Sequence, residues 1–172
     1  MQSFRYTQDT IDAELKKSKE DFILHFRSAY TDDYPPAWMI AEILPLGLLC
    51  RIYTNLKDNV IKKRVAQHFG LQVPVFSSWI VILAGLRNMC CHHCRTWNRE
   101  RATITTEPRR TKYGWIDSSR TDKRRMYYRI CMIRYFLYTV SPNNSFKDKL
   151  KTLLAAYPNI DTAAMGFPSD WE

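Results

Sequence analysis

Apolar residues recur along this chain at helical spacing. Ile11, Leu15, Phe22, Phe26 and Tyr30 mark a first helix, with Asp9 or Thr10 placed to cap its start. TDDYPP (31–36) breaks the pattern. Pro36 suits the first turn of a second helix, which runs to about Leu56 with a kink near Pro45. Asp58 is a plausible cap for a third helix carrying Ile61, Val65 and Phe69, with Gly70 in its C-terminal position. A fourth helix starts near Phe76 and is apolar nearly all round at first, which marks it as the central buried one. A fifth runs roughly from Asp122 to Thr139, with Met126, Ile130, Ile133 and Leu137 as its stripe. A sixth spans about Asn144–Tyr157, with Phe146, Leu150, Leu153 and Leu154 turned inward, and a short acidic tail follows. No internal repeat is visible. The pattern predicts a single all-α domain over residues 1–172.

Between the fourth and fifth helices the character changes. Residues 101–125 hold eight Lys or Arg against Glu107, Asp117 and Asp122, a net +5 of the chain's +9. Pro108, Gly114 and scattered polar residues predict a long basic loop with room for a short hairpin. Loops longer than about 12–15 residues are usually functional or disordered. Arg109, Arg110 and Lys112, with Tyr113 and Trp115 among the charges, make this loop a candidate RNA-gripping element, against the plainer reading of a solvated loop.

The charge of the whole chain agrees with a polyanionic partner, nucleic acid first and an anionic membrane second. At 172 residues and 45% hydrophobic content the chain can bury a core. Its start, MQSFRYTQDT, lacks the pattern of a signal peptide. The longest apolar stretch, Trp38–Cys50, is too short to span a bilayer and contains Glu42 and Pro45. A cytoplasmic protein without a membrane partner is expected, with its five cysteines reduced.

Candidate chemistry concentrates in RNMCCHHCRTWNRE (87–100). Cys91, His92, His93 and Cys94 are metal-ligand types, but a closed zinc site needs a second half-site that Cys50, Cys131, His25 and His68 do not supply by spacing. Adjacent helical residues point about 100° apart, so four consecutive ligands cannot surround one ion without unwinding. No metal and no cofactor is expected. A cysteine nucleophile beside a histidine needs an orienting third group, and Cys90, Cys91 and Cys94 read more simply as small core hydrophobes.

Arg87 and His92 offer a third reading. Attack of a ribose 2′-OH on its own phosphate needs only proton transfer and charge stabilisation. Histidine can move the proton and arginine can hold the negative phosphorane. The bare spacing has little weight, since about one such match arises by chance, and both residues also suit a helix C-terminus as cations. On a straight helix the pair would lie about 140° apart, whereas Asn88 shares the face of His92. Either the helix unwinds near Cys91, or a second copy of the motif completes the site across a two-fold axis.

The flanking residues narrow these readings. PPAWMIAEILPLGLL (35–49) and SSWIVILAGLRNMCCHHCRTWNRE (77–100), with IDAELKKSKEDFILHF (11–26) upstream, resemble the Abi-like (abortive infection) family of bacterial phage-defence proteins. The family pattern is approximately P-x-W-M-x-x-E, a serine–tryptophan helix, then R-N-x-C-A-H-H-x-R-L-W-N-R. Here Cys91 replaces its alanine and Thr96 its leucine. The family is placed in the HEPN superfamily of helical domains, many of them dimeric, metal-independent ribonucleases; RNA-targeting CRISPR effectors use a similar Arg–His pair.

The resemblance implies a HEPN-like bundle of about five to six helices with the basic loop before the fifth. It implies Arg87 and His92 as catalytic with Asn88 beside them, and His93, Arg95, Asn98 and Arg99 lining the site or holding RNA. Trp97 reads as a packing anchor, and Glu42 as a candidate orienting carboxylate or a helix-surface charge. Family members are usually longer, so the chain is expected to be a compact variant or the C-terminal part of a longer architecture. The expected function is a HEPN-type endoribonuclease working as a homodimer on RNA. The alternatives are a non-catalytic RNA-binding or protein-interaction module, or a toxin with an antitoxin or guide-like RNA partner.

Overall fold

A computed structural model describes residues 2–100, 105–117 and 119–171. It is helical, with no strand among the described residues, and divides into two compact units, residues 1–56 and 57–172. In the first unit the single helix expected to end at Tyr30 is two: α1, Gln2–Lys17, and α2, Asp21–Ala29. The break has a local cause. The Ser18 hydroxyl accepts the Glu20 N–H at 3.3 Å, and Glu20 is extended, with ψ 135°. The Arg27 guanidinium then donates to the Leu15 carbonyl, tying the two helices together. Tyr34 donates to Asp12 at 2.7 Å and accepts from Gln8 at 2.8 Å, which seats the 30–36 turn on α1.

The expected kink near Pro45 is likewise a complete break between α3, Ala37–Ile43, and α4, Leu46–Asn55. Proline has no N–H to continue the helix and pushes the preceding residue out of helical space. Leu44 sits at φ −78°, ψ 142°.

The second unit holds α5, Asn59–His68, α6, Val73–Cys91, α7, Met126–Val140, and α8, Phe146–Ala156. Here both ends of α5 match expectation. Asp58 accepts from the amides of Val60 and Ile61 at 2.7 and 3.2 Å, and Gly70 is left-handed at φ 67°. A side chain at Gly70 would collide with Lys112, its Cβ falling 2.1 Å from that of the lysine.

Central α6 packs against α5 and α7 and buries Val75, Phe76, Trp79, Ile82, Ala84 and Leu86. By length and apolarity it is long enough to cross a membrane, but Trp79, with no exposed surface, is enclosed by rings of its own chain. It packs against Trp115 at 4.5 Å with the rings tilted by 36°, meets Tyr135 edge-on at 5.4 Å, and donates its indole N–H to the Thr106 carbonyl.

This aromatic core overturns the expected stripe of α7. Tyr128, Met132 and Tyr135 face inward, while Met126, Ile130, Ile133 and Leu137 are half-buried. The helix also starts at Met126 rather than Asp122, because the Asp122 side chain closes a turn on the Arg124 N–H at 2.9 Å. On α8, Leu150 and Leu154 pack inward, but Leu153 is exposed. Beyond α8 the acidic tail is not a free end: Met165 and Phe167 form a second small core with Tyr127.

Candidate functional site

The helix end that carries the motif is shaped by its own backbone. The His93 N–H bonds to the Cys90 carbonyl at 3.1 Å, and the Cys94 N–H reaches back to Met89 at 2.9 Å. This pair of bonds requires a left-handed residue at position 93, and His93 adopts φ 52°. Glycine usually fills that role; a side chain there costs about 1–2 kcal/mol, although histidine is among the more tolerant types. His92 becomes the cap, at φ −94°, ψ 15°, its N–H bonded to Asn88. The helix therefore stops at Cys91, with His92 as its cap.

Arg87, Asn88, His92, His93, Arg95 and Arg99 are all exposed at this end, and Asn98 is half-buried. The Arg87 guanidinium donates to Asn88 Oδ1 at 3.2 Å, so the amide engages the arginine rather than the histidine. Among the described residues no hydrogen bond joins Arg87 to His92. The site is an open surface at a helix terminus.

Two expectations fail here. Cys90, Cys91 and Cys94 are exposed, not core, because the buried face of α6 ends at Leu86. Trp97 is 42% exposed and is no packing anchor. The buried thiols are Cys50 and half-buried Cys131; desolvation raises both, Cys131 to about 11.

The strand of chain after His92 is held from a distance. Arg125 donates to the carbonyls of Asn98 and Ala164 at 3.4 and 3.3 Å and pairs with Glu100 at 2.5 Å. Gly166, at φ 86°, makes room for it, since a Cβ there would lie 2.6 Å from that of Arg125. Arg125 is thus a clamp on the segment that follows the motif, a role its place in a basic run concealed. The only sequence signal is Glu100, the acid that closes the motif.

A family model described as Abi-like protein matches residues 2–98, more than half of the chain and including Arg87 through Asn98. The chain belongs to the Abi-like family. No curated protein and no solved structure matches it. Membership points to abortive-infection phage defence.

The remaining candidates of this Abi-like protein lie outside the motif in sequence. Glu42 is exposed on α3, within the first unit. Residues 101–104 and 118 of the basic loop lie outside the described residues. In the rest of the loop, Tyr113 and Trp115 are not free stacking platforms. Trp115 packs on Trp79, Tyr128 and Tyr135, and Tyr113 on Tyr135 and Tyr138. Half the loop's cations are spent on internal pairs: Arg120 with Asp170, Lys123 with Glu107, Arg124 with Asp122 and Glu100, and Arg125 with Glu100.

Arg109 is exposed. Arg110 and Lys112 line a cavity with Val73 and Pro74, the first turn of α6. Fourteen residues separate Val73 from Arg87, about 21 Å of helix axis. Arg110 and Lys112 therefore lie toward the opposite end of α6 from Arg87, whereas Arg124 and Arg125 reach the motif's end through Glu100. Among the described residues no group of three His, Cys, Asp or Glu side chains is placed to hold a metal ion.

Proposed function

We propose that this Abi-like protein is a metal-independent endoribonuclease of the HEPN type, acting in the cytoplasm in phage defence. The observation that carries the reading is the ending of α6. A left-handed His93 ends α6 just past Cys91, and Arg87, Asn88 and His92 are exposed along its last turns, inside the region that matches the family. Such a surface suits a long polyanion better than a small enclosed substrate.

In the proposed reaction, neutral His92 takes the proton from a ribose 2′-OH, whose oxygen bonds to the adjacent phosphorus. Arg87, positioned by Asn88, holds the negative phosphorane. The bond to the 5′-oxygen breaks, and that oxygen takes a proton from an imidazolium, leaving a 2′,3′-cyclic phosphate. A homodimer supplies the second imidazolium when two copies of the open terminus face each other across a two-fold axis. His93, Arg95, Asn98 and Arg99 then line the RNA path.

The test is cleavage of RNA in EDTA by the native protein, Arg87→Ala and His92→Ala. A loss of at least about 100-fold in each variant is expected. Equal cleavage by all three proteins sinks the assignment; tight RNA binding without turnover, indifferent to His92→Ala, replaces it with a binding module.

A further inference from the structure

Beside its buried stripe, α7 carries Tyr127, Cys131, Arg134 and Tyr138, spaced i, i+4, i+7 and i+11 so that they share one helix face. Between this face and the loop at 113–116 lies a cavity of about 410 Å³. Tyr113, Trp115 and Ile116 line it from the loop, and no carboxylate lines it. Arg134, half-buried, is the only cation that does, and it makes no ion pair among the described residues. The Lys112 ammonium rests over the Tyr113 ring at 5.2 Å and does not line the cavity.

The rings of this cavity are fixed by bonds made outside it. The Thr139 hydroxyl donates to Tyr113 Oη at 3.2 Å. Tyr135 Oη donates to the Phe69 carbonyl at 3.0 Å and accepts the Lys112 N–H at 3.1 Å. Tyr135 in turn meets Tyr113 and Trp115 edge-on at 5.5 and 5.9 Å, which seats the loop's rings against α7. The Arg134 guanidinium lies over the Tyr138 ring, 5.5 Å from its centroid. A guanidinium engaged by its face keeps the N–H groups of its edge, and these form a fork matched to a carboxylate. Its neighbours on α7 supply no negative charge: burial raises the Cys131 thiol to about 11 and also raises the Tyr127 hydroxyl, so both are neutral. Asp170, which also acts on Tyr127, pairs with Arg120 at 2.9 Å.

We propose that this cavity binds a small, flat aromatic molecule bearing a single carboxylate, its ring among Tyr113, Trp115 and Tyr138 and its carboxylate on the fork of Arg134. One guanidinium answers one anionic group, and a polyphosphate would leave charges unmatched. The ring walls call for an aromatic body, since aromatic rings gain from offset and edge contacts with one another. The volume lies within the range of small-molecule sites, about 300–1,000 Å³. The cavity shares no residue with the α6 terminus that carries Arg87 and His92, so its occupancy is read without any cleavage assay.

Titration calorimetry with indole-3-acetate, indole, acetate, tryptamine and AMP separates the parts of this claim. Indole-3-acetate should bind saturably, one per chain, with a Kd below about 1 mM. Indole should bind at least about tenfold more weakly, and acetate and tryptamine should not saturate. Arg134→Gln should raise the indole-3-acetate Kd at least about tenfold; Arg134→Lys, which keeps the charge but loses the fork, should raise it less. Tyr138→Leu, which removes the ring under Arg134, should also weaken binding, each variant being checked for an unchanged melting temperature. Absence of saturable indole-3-acetate binding below about 1 mM overturns the proposal, as does binding indifferent to Arg134→Gln and Tyr138→Leu. So does tryptamine bound as tightly as the acid, or AMP bound more tightly, which would make a phosphate rather than a carboxylate the anchored group.

Discussion

His93→Gly should make this protein more stable and, on the proposed function, less active. The left-handed backbone at position 93, φ 52°, is demanded by the two bonds that close α6. A side chain held there costs about 1–2 kcal/mol. Glycine removes that strain but gains about 0.5–1 kcal/mol of freedom in the unfolded chain. The difference leaves a net stabilisation of about 0.5–1 kcal/mol, or roughly 1–4 °C in Tm for a chain of this size. His93→Val, β-branched and worse suited to positive φ, should move in the opposite direction. Urea unfolding of the three proteins measures the ordering, and RNA cleavage measures the cost of losing the imidazole beside His92. Strain kept at a site residue is a recognised trade of stability for function. A His93→Gly variant less stable than the native protein, or His93→Val equal to it, would refute the helix ending derived above.

Three further outcomes follow from other parts of the structure. In the native protein, Cys90, Cys91 and Cys94 should react quickly with a thiol reagent, while buried Cys50 and half-buried Cys131, whose thiols desolvation raises, react far more slowly; five fast thiols would contradict the packing. Tyr135→Phe should cost about 1–3 kcal/mol by urea unfolding, because it leaves the Lys112 N–H and the Phe69 carbonyl without their buried hydroxyl. Asp122 is held below the usual carboxylate range by the Arg124 N–H and then the Arg124 side chain, as Asp170 is by Arg120. A carboxylate whose folded pKa is depressed adds stability above its unfolded value of about 3.9, and that stability is lost as pH falls through the folded value. The urea midpoint should therefore fall below about pH 4, and Asp122→Asn should flatten part of that fall.

The parts of the fold legible in the sequence are those with local causes. Asp58 and Gly70 bound α5 as read, because a cap and a left-handed turn are decided by a few neighbouring residues. Pro45 marks a disruption in the sequence, but whether proline kinks or ends a helix depends on what packs beyond it. The inward face of α7 was misplaced because Tyr128 and Tyr135 are buried by Trp79 and Trp115, rings distant in sequence that local periodicity does not register. Charge counting failed in the same way. Arg125 meets Glu100, and Arg120 meets Asp170, across 25 and 50 residues. At the candidate site, the motif singles out Arg87, Asn88 and His92, whereas the left-handed turn at His93 follows from backbone geometry no residue type announces. Arg134 lies outside every motif, and only the fold brings Tyr113 and Trp115 to the cavity it lines.

The central claim, cleavage of RNA by Arg87 and His92 through the ribose 2′-OH, is tested most directly with one oligoribonucleotide made in two forms. The second form carries a single 2′-deoxy nucleotide at the position the native protein cuts. The account predicts cleavage of the first in EDTA with a 2′,3′-cyclic phosphate end, abolished by His92→Ala, and an uncut bond at the deoxy position of the second. Equal cutting of both forms at that position would contradict it.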